Sequence, residues 1–243
     1  MCKSYIDSFF HFTGCLDNVI GILEKGFIPS YAKEQFIGSR HNVYHINIPM
    51  VSFTVIPLQQ VDRNVYGTYG IGMVRKWGNK KKLSPVMYYH SNKRFIVSEY
   101  LKDVYIMWEQ SSKKSDKRKH ARILGCVKPV VKFKDLGYAT GGKRLDNYIE
   151  QEWRKFYPSE CLTDNEMKTY KSKNGGSKLL CSKSLAFNAS DVSYIIVPNE
   201  EGIKSITSQI MNLNVISGKA VDDNEKKTLV QKVISLEQIK QDF

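Results

Sequence analysis

The sequence predicts an α+β protein, and three observations carry that prediction. Segments of strand character outnumber those of helical character. The helical segments fall mainly near the start, the middle and the end of the chain. No regular strand–helix–strand alternation links them. Apolar residues make up 42% of the 243, and aromatics 12%. That is enough apolar surface to offset the entropy of ordering, which excludes a disordered chain. The length suits one large domain or two small ones. With no internal repeat and no long Pro/Gly/Ser linker, a single domain over residues 1–243 with long excursions is expected.

The elements follow in order. Ser8 to Phe12 reads as a short strand, with Thr13 placed to cap a helix. Leu16, Val19, Ile20 and Leu23 then recur at helical spacing, and Gly26 is a natural C-terminal stop. Val43 to Ile48 and Met50 to Val55 read as strands broken by Pro49, with further strands at Ile71 to Lys76 and Val86 to Tyr89. Lys93 to Glu109 is the best middle helix, with Ile96, Val97, Tyr100, Leu101, Val104 and Trp108 on one broad apolar face. Gln110 to His120 and Thr163 to Lys178 are polar, rich in turn formers and without apolar periodicity, so both are expected to be loops. Ile123 to Phe133, Tyr148 to Phe156 and Ser193 to Val197 read as strands. A helix from Glu200 to Leu213 capped near Asn199 comes next, then a strand from Leu229 to Ile234 and a terminal helix capped by Ser235.

The net charge of +13 is unevenly spread. Residues 75–144 hold 19 basic and 5 acidic side chains, whereas the segments on either side are close to neutral. Such a block draws in nucleic acid, nucleotide phosphates or an acidic partner, or else forms a lysine-rich solvated surface. Lys113, Lys114, Lys117, Arg118, Lys119 and Arg122 are its candidate nucleic-acid ligands. The five cysteines, Cys2, Cys15, Cys126, Cys161 and Cys181, are scattered and odd in number. They form neither a disulfide framework nor a zinc knuckle, which points to a reducing cytoplasm. No apolar run approaches the roughly 18–20 residues of a membrane span, so no membrane role is expected.

Four local patterns could carry chemistry. In Tyr148-Ile149-Glu150-Gln151-Glu152-Trp153-Arg154, a strand would put Glu150, Glu152 and Arg154 on one face. Paired carboxylates raise one pKa unless a cation lies nearby, which suits a general base; the alternative is a solvated face where Glu152 and Arg154 pair. His11-Phe12-Thr13 ends a strand and opens a helix, a place for a ligand hydroxyl or phosphate, or simply for a satisfied core histidine. Ser52 and Thr54 share a strand face opposite Val51, Phe53 and Val55. Tyr66-Gly67-Thr68-Tyr69-Gly70-Ile71-Gly72 offers close backbone approach and two stacking rings, or a turn feeding a strand, but not a dinucleotide fingerprint. His41 and His45 are far apart in a strand, so no metal site is expected.

Taken in order, His11 to Ser30, Val51 to Leu58, Tyr66 to Gly72, Pro85 to Tyr88 and Tyr148 to Arg154 resemble the AbiGi family of bacterial abortive-infection proteins. The resemblance extends to the Ser235-Leu236-Glu237 ending. It implies a phage-defence antitoxin with a cognate toxin as partner. More distantly the same order resembles the ADP-ribosyltransferase fold, which implies a split mixed or antiparallel sheet with flanking helices. By that resemblance NAD is the substrate. His11 and Thr13 bind its ribose, Ser52 and Thr54 line the nicotinamide side, and Tyr66 or Tyr69 stacks on it. Glu152 is then the catalytic carboxylate and Glu150 orients the acceptor, a nucleic acid or protein. Two departures stand out: His11 where arginine usually accompanies Glu-x-Glu, and a Phe in Ser52-Phe53-Thr54. The alternative is a non-catalytic antitoxin or nucleic-acid-binding protein that neutralises or represses its toxin. A metal-dependent nuclease using Glu150 and Glu152 is a weaker third reading, for lack of a further acidic ligand.

Overall fold

A computed structural model describes residues 7–37, 43–58, 60, 67–89, 96–130, 150–174 and 178–242. The chain runs β1 (Ser8–Thr13), α1 (Leu16–Lys25), β2 (Ser30–Ile37), β3 (Val43–Thr54), β4 (Tyr69–Val74) and α2 (Arg75–Lys80). Then come β5 (Ser84–Pro85), β6 (Met87–Tyr89), α3 (Ile96–Gln110), α4 (Lys114–Gly125), β7 (Val127–Pro129) and β8 (Glu152–Phe156). The last part holds α5 (Asp164–Asn174), α6 (Lys178–Cys181), β9 (Val192–Val197), α7 (Glu200–Met211), β10 (Val215–Ile216) and β11 (Lys219–Ala220). It closes with α8 (Asp223–Val230), β12 (Val233–Ser235) and α9 (Leu236–Asp242). The fold is mixed α+β with a mostly antiparallel sheet.

Two compact units emerge from this order. The first comprises residues 1–28, 52–83 and 183–243, the second 29–51 and 84–182. In the first, the strand order is β12-β9-β4-β1, with Phe10 of β1 opposite Thr54 at the end of β3. Alternation along β1 fills both faces of this sheet. Phe10 and Phe12 pack with Ile196, Leu236 and Ile239, while Phe9 meets Phe53 on the other side. The glycines of the Gly–Tyr segment are there for clearance. A Cβ at Gly70 would come within 2.8 Å of the Phe12 ring, and one at Gly72 within 2.9 Å of the Phe10 ring. Gly67, at φ +140°, would strike the Thr13 carbonyl oxygen.

In the second unit, β2 pairs with β3 from Ser30↔Met50 to Ile37↔Val43, and β8 lies beside β3 and pairs with β5. Its core joins Phe36, Ile46 and Ile48 from the sheet to Leu101, Val104, Tyr105 and Trp108 of α3, and to Ala121 and Leu124 of α4.

Several expectations are corrected. Pro49 does not break β3: its carbonyl accepts from the Tyr157 N–H at 3.1 Å. A strand residue turns its N–H and C=O the same way, so the missing donor faces the end of β8 and not the β2 ladder. The expected loop at Gln110 to His120 contains the first half of α4, whose Lys and Arg are good helix formers. Ile123 to Gly125 finish that helix, and only Val127–Pro129 of the expected strand there is extended among the described residues. The expected loop at Thr163 to Lys178 holds α5, opened by a capping box: Glu166 N–H donates to Thr163 Oγ1 and Thr163 N–H to Glu166 Oε2. Leu229 belongs to α8, and the strand starts at Val233. The broad face expected of α3 is divided, for Leu101, Val104 and Trp108 are buried while Ile96, Val97 and Tyr100 are exposed.

Candidate functional site

The predicted site residues lie in both units. His11, Thr13, Ser52, Thr54 and Tyr69 belong to the first, Glu150 and Glu152 to the second. Tyr66 lies outside the described residues.

In the first unit, β1 carries His11 into an aromatic cluster. Its ring stands edge-on to Phe27 at 5.4 Å between centroids and tilted on Phe53 at 5.7 Å. His11 Nδ1 is 2.8 Å from the Ser52 carbonyl oxygen. A carbonyl only accepts, so Nδ1 carries the proton and Nε2 is left as an acceptor. Burial pulls the His11 pKa below its ordinary value, more strongly than the hydrogen bond to Ser52 raises it, so the ring is neutral near pH 7. Thr13 faces Tyr69 across the β1–β4 ladder, and its hydroxyl accepts from Asn18 Nδ2 at 2.7 Å. Ser52 thus meets His11 through its backbone, and Ser52, Thr54, Thr13 and Tyr69 are all half-buried.

In the second unit, β8 places Glu152 and Arg154 on one face, as alternation requires. That face is interior: Arg154 is 1% exposed and Glu152 7%. The guanidinium grips the carboxylate with two bonds, Nε to Oε1 at 2.6 Å and Nη2 to Oε2 at 3.0 Å. Nη2 also donates to Glu34 Oε1 of β2 at 3.0 Å, and Nη1 to the Gly125 carbonyl at 3.3 Å. From β7, Lys128 Nζ donates to Glu152 Oε2 at 2.9 Å and to Glu150 Oε2 at 2.7 Å. The Glu152 N–H donates to the Tyr88 hydroxyl at 3.0 Å. Burial alone would lower the Lys128 pKa, but Glu152 and Glu150 outweigh it and hold the ammonium charged. Burial pushes the Tyr88 phenol up to about 12. Removing either partner would strand an uncompensated charge, so this cluster is a structural lock.

Glu150 reaches the cluster differently from the expectation. It precedes β8, and Gln151 at φ +42° breaks the strand between the two glutamates. They come together through Lys128 and not through alternation. The Glu152–Arg154 pair is buried and does not form the solvated face that its sequence pattern alternatively predicts. Sequence reasoning missed Lys128 and Glu34 altogether. The available signal was a charge inside an otherwise apolar stretch, Cys126-Val127-Lys128-Pro129-Val130, which demands a buried partner.

On α4, Lys113, Lys114, Arg118, Lys119 and Arg122 are exposed. Lys117 is half-buried, with Nζ 5.7 Å from the centroid of the Trp108 ring. Among the described residues, no group of three or more His, Cys, Asp or Glu could hold a metal ion, and no helix is long and apolar enough to cross a membrane.

The family model described as "Putative abortive phage resistance protein AbiGi, antitoxin" matches residues 25–198. The chain belongs to the AbiGi family. The AbiGi match takes in Glu34, Lys128, Glu150, Glu152 and Arg154 together with α3 and α4. It leaves out His11, Thr13 and the Ser235-Leu236-Glu237 ending, which the wider sequence resemblance had included. No curated protein and no solved structure matches the chain, and the ADP-ribosyltransferase resemblance gains no support.

Proposed function

We propose that this protein is the antitoxin of an abortive-infection pair and acts by binding its toxin, without transferring a group from NAD. One observation carries the reading. Both carboxylate oxygens of Glu152, the residue a transferase would need as its catalytic group, are engaged by Arg154 and Lys128 inside the second unit. A general base or oxocarbenium-stabilising carboxylate needs an oxygen free to face the reacting atoms. His11 likewise packs between phenylalanines, where a neutral imidazole serves the core. The family description supports the antitoxin role. These residues, engaged with one another, do not fit NAD.

The test is co-expression with the toxin encoded alongside. The wild-type chain is expected to restore growth and to release no nicotinamide from NAD. Nicotinamide release by the wild type, lost in a folded Glu152→Gln variant, would overturn the reading in favour of the transferase.

A further inference from the structure

Helix α3 is apolar on two sides. Its core side is built from Leu101, Val104, Tyr105 and Trp108. Beside it, Ile96, Tyr100 and Met107 recur at whole-turn spacings and are 83%, 57% and 54% exposed, with Val97 also exposed at the first turn. Isolated exposed apolar residues need no explanation, but a line of large ones along one helix marks a contact surface. Tyr and Met are also among the residues enriched in interface cores.

The next element supplies the second observation. Only residues 111–113 separate α3 from α4, and Lys117 reaches back over Trp108, so the start of α4 lies against the end of α3 where Met107 sits. Lys114, Arg118 and Arg122 follow one another at one-turn spacing, with Lys119 beside them. All four are exposed, and none has a carboxylate within ion-pair distance among the described residues. A basic face without carboxylate partners among the described residues, on a helix packed against one that carries an exposed apolar line, calls for a ligand that is acidic on one side and apolar on the other.

We infer that the α3–α4 hairpin is the docking surface for an acidic amphipathic segment of a protein partner. Its apolar side covers Ile96, Tyr100 and Met107, and its carboxylates face Lys114, Arg118, Lys119 and Arg122. The inference rests on the antitoxin reading, in which that partner is the toxin. Asp103 lies on the apolar line and is exposed, so a polar or basic partner residue belongs opposite it and fixes the register. Charge complementarity selects this occupant over the others. A second copy packed two-fold on this surface would set the α4 cations against themselves. Nucleic acid would satisfy the cations through its phosphates but leave the apolar line uncovered.

The experiment measures binding of the full-length chain to the purified toxin encoded with it. Thermal melts establish that each variant is folded. Tyr100→Ala with Met107→Ala, and separately Arg118→Glu with Lys119→Glu, are each expected to weaken binding at least tenfold. Met211→Ala, an exposed methionine in the first unit, is expected to bind as the wild type does. Folded hairpin variants that bind like the wild type would overturn the docking surface and leave the antitoxin reading standing. A wild-type chain that does not bind the toxin would overturn both. Loss confined to the charge-reversed variant, with duplex DNA competing for the same face, would assign the surface to nucleic acid and overturn the inference. Concentration-dependent dimerisation abolished by the Tyr100 and Met107 changes would assign it to a second copy, with the same consequence.

Discussion

The two units bury their polar side chains in opposite ways. The first closes around rings: Phe27, Phe53 and Trp77 pack at centroid distances of 5.1 to 5.6 Å, and the imidazole admitted among them is neutral. The second takes full charges inside, setting Arg154 and Lys128 against Glu34, Glu150 and Glu152. A neutral ring costs little to bury and depends on shape. Buried ions are expensive to desolvate and depend on every partner being present. The first unit should therefore tolerate small losses of volume, whereas the second should fail when one charge is removed.

The largest effect is expected from Arg154→Ala, which leaves Glu34 and Glu152 buried without their common partner. It should cost about 3–5 kcal/mol in urea unfolding. Replacing Glu34, Glu152 and Arg154 together by Leu, Leu and Met should restore most of that loss, because no unpaired charge remains among the three. Failure of the triple variant to recover would show that the charges select the fold as well as balance one another. In the first unit, Ile71→Val, fully buried on β4, should cost only about 0.5–1.5 kcal/mol by the same measurement.

A smaller and conditional effect comes from His11. Its folded pKa lies below the unfolded value of 6.5, so its contribution to stability is complete above pH 6.5 and is lost as pH falls below it. His45, lowered chiefly by burial and then by Lys33 against the opposing Asp164, acts in the same direction. The melting temperature should decline from pH 7.5 to 5.5, and His11→Gln should flatten that decline without abolishing it. An unchanged slope would mean that the imidazole is solvated. Smallest of all, Arg118→Glu with Lys119→Glu should change stability by less than about 0.5 kcal/mol per site, since both are exposed.

What could be read in the sequence was local. The strand and helix from Ser8 to Lys25 with their Gly26 stop, the body of α3, and β9 leading through the Asn199 cap into α7 announce themselves by periodicity and end signals, although Cys15 and not Thr13 stands at the N-cap of α1. Helices α4, α5 and α8 did not, because their first turns are almost wholly polar. The boxes Thr163-Asp164-Asn165-Glu166 and Asp222-Asp223-Asn224-Glu225 are the legible start signals of α5 and α8. The site divides in the same way. Placing Glu152 and Arg154 on one face needed only the period of a strand. Bringing Glu34 and Lys128 to them required β2, β7 and β8 to be assembled, which no local pattern encodes. The inner and outer sides of α3 were indistinguishable for the same reason, since periodicity shows where apolar residues point but not which of them are covered.

On the proposed antitoxin reading the protein works through its surface, and the buried glutamates serve the fold. Toxin neutralisation by a Glu150→Gln, Glu152→Gln variant, measured as growth rescue at a temperature where circular dichroism shows it folded, tests this most directly. The expected result is rescue equal to that of the wild type. A folded variant that still binds the toxin but no longer rescues growth would contradict the claim and return the two carboxylates to catalysis.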